Sequence, residues 1–450
     1  MAPRRHSRGV RSPACPIRRG TGLLAGLTIS IALVVQAWAA PLAHREVLPN
    51  GIRLLVAPRP AVPIVVLRAY LRAGSAFDPP DAFGVANLTA ELLTRGTARR
   101  TGPELDRAIE FVGGGLEADA GRDGTTVSLA VLKKDLDLGL DLLAEVLLTP
   151  TFPEEELRRK VAEIEGTLRR SEESPEFLAG RAVARLIYPG HPYAHPVTGT
   201  IESVGKLTRA QVVRFHREHY RPDAAAIAVV GAVTVDEIRE AVTRRLGGWA
   251  SSSEARDVIP QAPSSPPAVA ETITRADLTQ ATVYLGRPGI RQDHPDYFPL
   301  VVANYILGGG SASRLYMRVR EERGLAYSVY SSLSPGRYGA SYAVALQTRV
   351  DAVGEATRLV KEEMARMAQA PVSSRELDLA KSFLIGSFPL RLDTSRKVAD
   401  FLIGVEEYGL GLDYPDRFKA EIAKVSASDV QRVAARYMDP ATFSSVTVGR

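Results

Sequence analysis

The chain has 450 residues, 57 basic and 51 acidic side chains, a formal net charge of +6 and a single cysteine, Cys15. Arg4, Arg5, Arg8, Arg11, Arg18 and Arg19 account for the whole basic excess, so from residue 40 onward the two signs balance at 51 each. Nothing in that balance calls for nucleic acid or an anionic surface as partner, and disulfides, cysteine metal sites and thiol catalysis are excluded beyond Cys15.

The arginine-rich start is followed by an apolar run, Leu23–Val35, and by Ala37-Trp38-Ala39, a small-x-small pattern. That order reads as a secretory signal peptide over 1–39, cut after Ala39, with a retained N-terminal anchor as the alternative. The run has 13 residues, whereas a membrane span needs about 20. Cys15 precedes the run and so is not placed for lipidation. The expected location is the periplasm, or the exterior of a cell without an outer membrane, with no membrane span after cleavage. About 410 residues remain, enough for two sizeable cores.

In chain order, Ile64–Ala73 and Thr125–Val131 read as strands, and Gly84–Leu93, Pro103–Val112, Asp135–Leu148 and Pro153–Arg170 as helices. Thr208 caps a further helix, which leads through Pro222 to an apolar strand. Residues 250–270, rich in Ser, Pro and Ala, have no helical or strand period and read as a linker between 40–249 and 271–450. The second half repeats the theme with Ala281–Gly286, Tyr297–Leu307, Ser313–Glu322, Tyr327–Leu333, Tyr338–Gln347, Val350–Met367 and Ser373–Phe388.

The halves look like copies. At an offset of 218, Val212 meets Val430, Arg214 meets Arg432, Pro222 meets Pro440, Val230 meets Val448 and Gly231 meets Gly449, and Ser426 stands where Thr208 does. At an offset of 217, Val85-Ala86-Asn87 meets Val302-Ala303-Asn304. A duplicated domain of about 200 residues accounts for both. Short strands separated by helix pairs give an α+β class: two homologous domains, each an antiparallel sheet covered by helices, closed into a pseudo-symmetric clamshell.

Two stretches resemble the pitrilysin/insulinase zinc metallopeptidases, the family that includes the mitochondrial processing peptidases. Gly84–Thr97, GVANLTAELLTRGT, matches the frame of their G-x-A-H-x-x-E-H helix and its Gly-Thr turn at Gly84, Ala86, Gly96 and Thr97. The motif itself places two histidines on one helix face to hold zinc and a glutamate to activate water. Here those positions hold Asn87, Ala90 and Glu91: an amide and a carboxylate for the two ligands, a methyl for the base. The resemblance implies that the third ligand position is Glu163. Such a set is a poor zinc site, and without a base no hydrolysis by this chain alone is expected.

The second stretch, Gly308–Ser332, GGGSASRLYMRVREERGLAYSVYSS, is similar to the C-terminal domain of active members. By that resemblance Arg320 and Tyr327 bind substrate: Tyr327 at the scissile carbonyl or its oxyanion, Arg320 at a neighbouring carbonyl. PYAHPVTGT (Pro192–Thr200) extends the likeness across the first half. Some bacterial members divide these roles between two chains, and this chain resembles the one without the metal. The implied function is the non-zinc subunit of a heteromeric periplasmic peptidase: no metal in this chain, zinc in a homologous H-x-x-E-H partner, and a peptide substrate. The alternative is an inert scaffold or a peptide-binding protein of the same fold.

Other candidates have plainer readings. His191 and His195 flank Pro192 in a loop, where i, i+4 spacing does not set up a metal site. His216–His219 is one residue short of H-x-x-E-H and reads as a solvated helix face. Gly308-Gly309-Gly310-Ser311 lacks the Gly-Lys-Ser/Thr of a phosphate loop and reads as the end of one helix and the start of the next, and Gly113–Gly115 as a turn.

Overall fold

The structure, a computed structural model, describes residues 41–250 and 258–449. The signal peptide expected over 1–39 and part of the expected linker lie outside the described residues. In chain order the first half runs β1 (His44–Val47), β2 (Arg53–Pro58), β3 (Ile64–Leu71), α1 (Val85–Leu92), α2 (Gly102–Phe111), β4 (Gly115–Ala120), β5 (Thr125–Leu132), α3 (Leu136–Leu148), α4 (Glu154–Ser171), α5 (Pro175–Ile187), α6 (Ile201–Val204), α7 (Arg209–His219), β6 (Ala225–Gly231) and α8 (Val235–Leu246). The second runs β7 (Ala270–Thr274), β8 (Gln280–Pro288), α9 (Tyr297–Gly308), a π-helical turn (Tyr316–Glu321), β9 (Ala326–Ser334), β10 (Ser341–Arg349), α10 (Val353–Gln369), α11 (Ser374–Ser387), α12 (Ser395–Glu407), α13 (Tyr414–Lys424), α14 (Ala427–Tyr437) and β11 (Ser444–Gly449).

The class is α+β, with two sheets of one topology. The first is ordered β1-β2-β6-β3-β5-β4 and the second β7-β11-β8-β10-β9, so all but β1 has a counterpart. The repeated sequence segments become α7–β6 and α14–β11, and Val85-Ala86-Asn87 and Val302-Ala303-Asn304 lie in α1 and α9. Thr208 and Ser426 each close a capping box, with Gln211 and Asp429. The sheets are not wholly antiparallel as expected: β2 pairs parallel with β6, and β7 with β11. The reason is the connection. β6 and β11 enter their sheets only after a series of helices, a crossover long enough to bring the chain back in the same direction, whereas hairpin-linked β4–β5 and β9–β10 are antiparallel.

The halves exchange helices. α5, from the first, packs on β8 and β11 of the second sheet, and α12, from the second, packs on β3 and β6 of the first. The sequence permits both contacts. Gly286 on β8 faces Val183 of α5, where a Cβ would come within 2.4 Å of the valine side chain. Beneath α12, Ala226 and Ala228 leave room for Val398, Ala399, Leu402 and Ile403, which are buried with Leu55, Val66 and Tyr70. Strand β6 is therefore covered on both faces, which is why AAIAVVG is apolar throughout and not alternating. Each buried Val, Leu or Ile at this contact contributes roughly 1.5–3 kcal/mol, and residues 41–449 pack as one unit.

Polar contacts lock the exchange. Arg68 on β3 pairs with Asp400 on α12 at 2.6 Å, and Arg45 with Glu406 at 2.6 Å. The Tyr70 hydroxyl donates to Glu407 and the Tyr193 hydroxyl to Asp123, while Asp123 also accepts the Arg337 amide at 2.9 Å. Burial pushes the Glu407 carboxyl up to about 7. The described part of the linker runs between the halves. Its Pro260 carbonyl accepts from His191 Nε2 at 3.0 Å, and the Ala262 amide donates to the Tyr338 carbonyl at 2.7 Å.

Candidate functional site

Helix α1 is seated by Asp78, whose carboxylate accepts the Gly84 amide at 2.7 Å and the Ala86 amide at 2.9 Å. A carboxylate suits the positive end of a helix, but burial pushes this one up to about 7. Asn87 and Ala90 are buried in the helix, Ala90 completely. One turn on, Glu91 reaches toward α4.

There the structure brings together three of the four positions singled out from sequence, around a residue that was not. Asn87 Nδ2 donates to Glu91 Oε1 at 3.1 Å. Glu91 Oε2 lies 3.2 Å from Lys160 Nζ, and Lys160 Nζ lies 3.1 Å from Glu163. Arg159 adds a longer contact to Glu163, 3.7 Å. The lysine is only 16% exposed. Ala90 contributes a methyl and no proton acceptor. Lys160 stands one turn before Glu163 on the same helix, so i, i+3 spacing would have found it once Glu163 was chosen.

These residues do not fit zinc. The two carboxylates already share an ammonium, the amide is committed to one of them, and imidazole is missing. Among the described residues no group of three or more His, Cys, Asp or Glu side chains is arranged to hold a metal ion.

Arg320 and Tyr327 come together on the other half. The segment from Ser313 winds into a π-helical turn, a wide turn that recurs at functional sites, closed by Glu322 N to Met317 O at 2.9 Å. Its arginines divide their work. Arg314 binds Glu376 of α11 through two bonds of 2.7 and 3.2 Å, and Arg318 pairs with Glu363 of α10 at 3.1 Å. Both anchor the turn. Arg320 points elsewhere: its guanidinium lies over the Tyr316 ring at 4.8 Å and the Tyr327 ring at 5.8 Å, with only a 3.8 Å ion pair to Glu321. Tyr327 is the second residue of the edge strand β9 and is 74% exposed. Gly308 at the end of α9 lets that helix abut β9, since a Cβ there would meet the Ser331 amide at 2.5 Å. No described hydrogen bond or ion pair joins Arg320 or Tyr327 to Asn87, Glu91 or Glu163.

The histidines serve packing. His191 Nδ1 accepts the Tyr193 amide at 3.1 Å, so Nε2 carries the proton donated to Pro260. His195 stacks on Phe83 at 4.2 Å. The expectation of a solvated face at His216–His219 holds for Arg217, 73% exposed, and is corrected for His216, which lies between Phe152 and Tyr220 and bonds the Leu147 carbonyl at 3.0 Å, and whose pKa burial pushes down to about 4. Helix α7 packs on α1, and so turns these rings inward. Among the described residues no helix is long and apolar enough to cross a membrane.

Comparison with known proteins agrees with this architecture. Residues 54–201 match the family model described as insulinase (peptidase family M16), and residues 206–384 match the one described as peptidase M16 inactive domain. An uncharacterized zinc protease of Mycobacterium leprae is 32% identical over 78% of this chain and 79% of its own. A non-peptidase homolog from Helicobacter pylori is 24% identical over 90% of this chain and 93% of its own. The crystal structure of a peptidase M16 inactive domain from Pseudomonas fluorescens superposes with a TM-score of 0.85 at 28% identity, over 90% of this chain and 97% of that one. Sharing the fold while lacking the H-x-x-E-H set, the chain belongs to the insulinase family of peptidases, M16.

Proposed function

We propose that this protein is the non-zinc subunit of a heteromeric, exported metallopeptidase, and that it presents Arg320 and Tyr327 to the active site of a homologous partner. The observation that supports it most is the exposed Arg320–Tyr327 pair. Arg314 and Arg318 pair with carboxylates of α11 and α10, whereas Arg320, 40% exposed, lies over the ring of Tyr327, which is 74% exposed. A phenol held on a strand and a guanidinium held on a turn are preorganised donors for a substrate carbonyl. Zinc and the general base belong to the partner, because Asn87, Ala90, Glu91 and Glu163 supply neither. An extended peptide lying beside the free edge of β9 would pass both donors. Export, and with it a periplasmic site of action, rests on the leader-like residues 1–39.

The test is reconstitution with an H-x-x-E-H homologue encoded beside this chain. Peptide hydrolysis is expected only when both chains are present, with zinc recovered in the homologue and substoichiometric in this chain. Equal hydrolysis by the homologue alone would remove the proposal. A second reading, an inert scaffold or peptide-capturing protein, draws support from the relative called a non-peptidase homolog. It predicts binding without any gain in hydrolysis.

A further inference from the structure

We propose that Lys160 is a built-in cation that holds, in place of a metal, the position between the carboxylates of α1 and α4. Its ammonium lies 3.2 Å from Glu91 and 3.1 Å from Glu163, so one positive charge bridges the two carboxylates that stand at the second and third ligand positions. The remaining Glu91 oxygen accepts from Asn87 at 3.1 Å, which leaves that carboxylate fully engaged. Helix α1, which carries Asn87 and Glu91, is buried except at Glu91, and the lysine is 16% exposed while Glu163 on α4 is half exposed. Two carboxylates brought together there without a cation would repel each other, with water reaching Glu163, 52% exposed, more than Glu91, 30% exposed, and screening part of that repulsion. A metal would neutralise them from solution, at the mercy of its concentration. A lysine on α4 does so from within the chain, at an effective concentration that no free ion matches, and its three N–H donors suit two acceptors at once.

Two consequences follow. The α1–α4 contact is metal-independent, so neither zinc nor a chelator alters its stability. Restoring the ligands is also not enough to restore a zinc site, because the incoming ion must displace a tethered ammonium beside Glu163. This inference concerns the chain alone and stands whether or not a partner subunit exists.

The experiment compares the intact chain, Lys160→Met, the variant carrying Asn87→His, Ala90→Glu and Glu91→His, and that variant with Lys160→Met added. Zinc is the only probe, and the readouts are bound zinc by calorimetry and the melting temperature with and without zinc. The intact chain is expected to bind no zinc tightly and to melt at the same temperature with zinc or a chelator. Lys160→Met is expected to melt lower. The three-substitution variant is expected to bind zinc about 10–100-fold more weakly than the same variant with Lys160→Met, the scale on which a metal site's neighbours act. Equal zinc affinity in those two proteins, zinc binding by neither, or a Lys160→Met chain that melts like the parent would each overturn the proposal. Should Lys160→Met fail to fold, Lys160→Arg, which keeps a cation, is expected to fold and melt near the parent. Its failure would assign Lys160 to packing and not to charge.

Discussion

The α1–α4 pocket and the ledge formed by the π-helical turn and β9 are both rich in charge and hydrogen-bonding groups, yet they use them in opposite ways. In the pocket every group is answered from within: Asn87 by Glu91, Glu91 and Glu163 by Lys160. On the ledge Arg314 and Arg318 are answered by Glu376 and Glu363, Arg320 lies over the rings of Tyr316 and Tyr327, and Tyr327 faces outward. Polar groups paired inside a chain contribute to its structure. Donors held rigid and left open to solvent are available to another molecule. The lesson is that two charged clusters of one chain need not be built alike: here one is closed on itself by ion pairs, while the other leaves a tyrosine in solvent.

That contrast can be broken first at the ledge. Tyr327→Phe removes one hydroxyl and almost no buried area. In the reconstituted pair it is expected to lower kcat about 10²–10³-fold, the size of a lost oxyanion donor, with the melting temperature and subunit association unchanged. Arg320→Ala is expected to raise KM as well, because a charged donor to the peptide backbone is lost. Full activity in both variants would make the ledge as structural as the pocket and favour the scaffold reading.

The next largest effect lies where the halves interlock. Leu402 of α12 is buried under the first sheet, so Leu402→Ala is expected to cost about 2–5 kcal/mol in chemical denaturation. If the halves behaved as separate domains, the variant would show two transitions. One transition, shifted as a whole, is the outcome expected from exchanged helices.

A smaller effect is expected from pH. Glu407 holds its proton up to about 7 in the folded chain, against an ordinary value near 4.5. Between those values the folded state binds more protons than the unfolded state. Its contribution to stability is therefore full below about pH 4.5, falls as pH rises to 7, and is flat beyond. Asp78, raised to about 7 by burial, adds the same sign. Melting curves from pH 5 to 8 for Glu407→Gln should show a shallower decline than the parent, and identical slopes would remove Glu407 as a source.

The smallest change expected is at the pocket itself. Glu163→Gln leaves Lys160 paired with Glu91, and because Glu163 is half exposed the loss is about 0–1 kcal/mol, as for other solvent-facing ion pairs. A loss as large as that of Leu402→Ala would mean that the pocket is more tightly coupled to the core than its exposure suggests.

Much of this was legible in the linear chain. Four helices of the first half, α1 to α4, begin and end within a residue or two of Gly84–Leu93, Pro103–Val112, Asp135–Leu148 and Pro153–Arg170, because caps and apolar spacing are local, whereas α5 was not read from the sequence. The duplication was visible in the α7–β6 and α14–β11 segments, and Asn87, Ala90, Glu91, Arg320 and Tyr327 were picked out by resemblance to the family's motifs, not by spacing alone. The parallel β2–β6 and β7–β11 pairs were not, since strand direction depends on how a long crossover returns. Nor was the burial of His216: Tyr220 stands one turn on, but Phe152, on its other side, comes from a distant segment.

By itself the sequence determined which groups this protein has and lacks: two similar halves, no imidazole or base in the metal motif, and an arginine and tyrosine seven residues apart. Only the tertiary structure decided what each group meets. It crossed α5 and α12 between the sheets, laid Arg320 over Tyr316 and Tyr327 while Arg314 and Arg318 met carboxylates, and set Lys160 between Glu91 and Glu163. The physical reason is range. Caps, periodicity and motif spacing act over a few residues, whereas Glu91 and Lys160, or Tyr70 and Glu407, become neighbours only when distant segments are packed together and deprived of water.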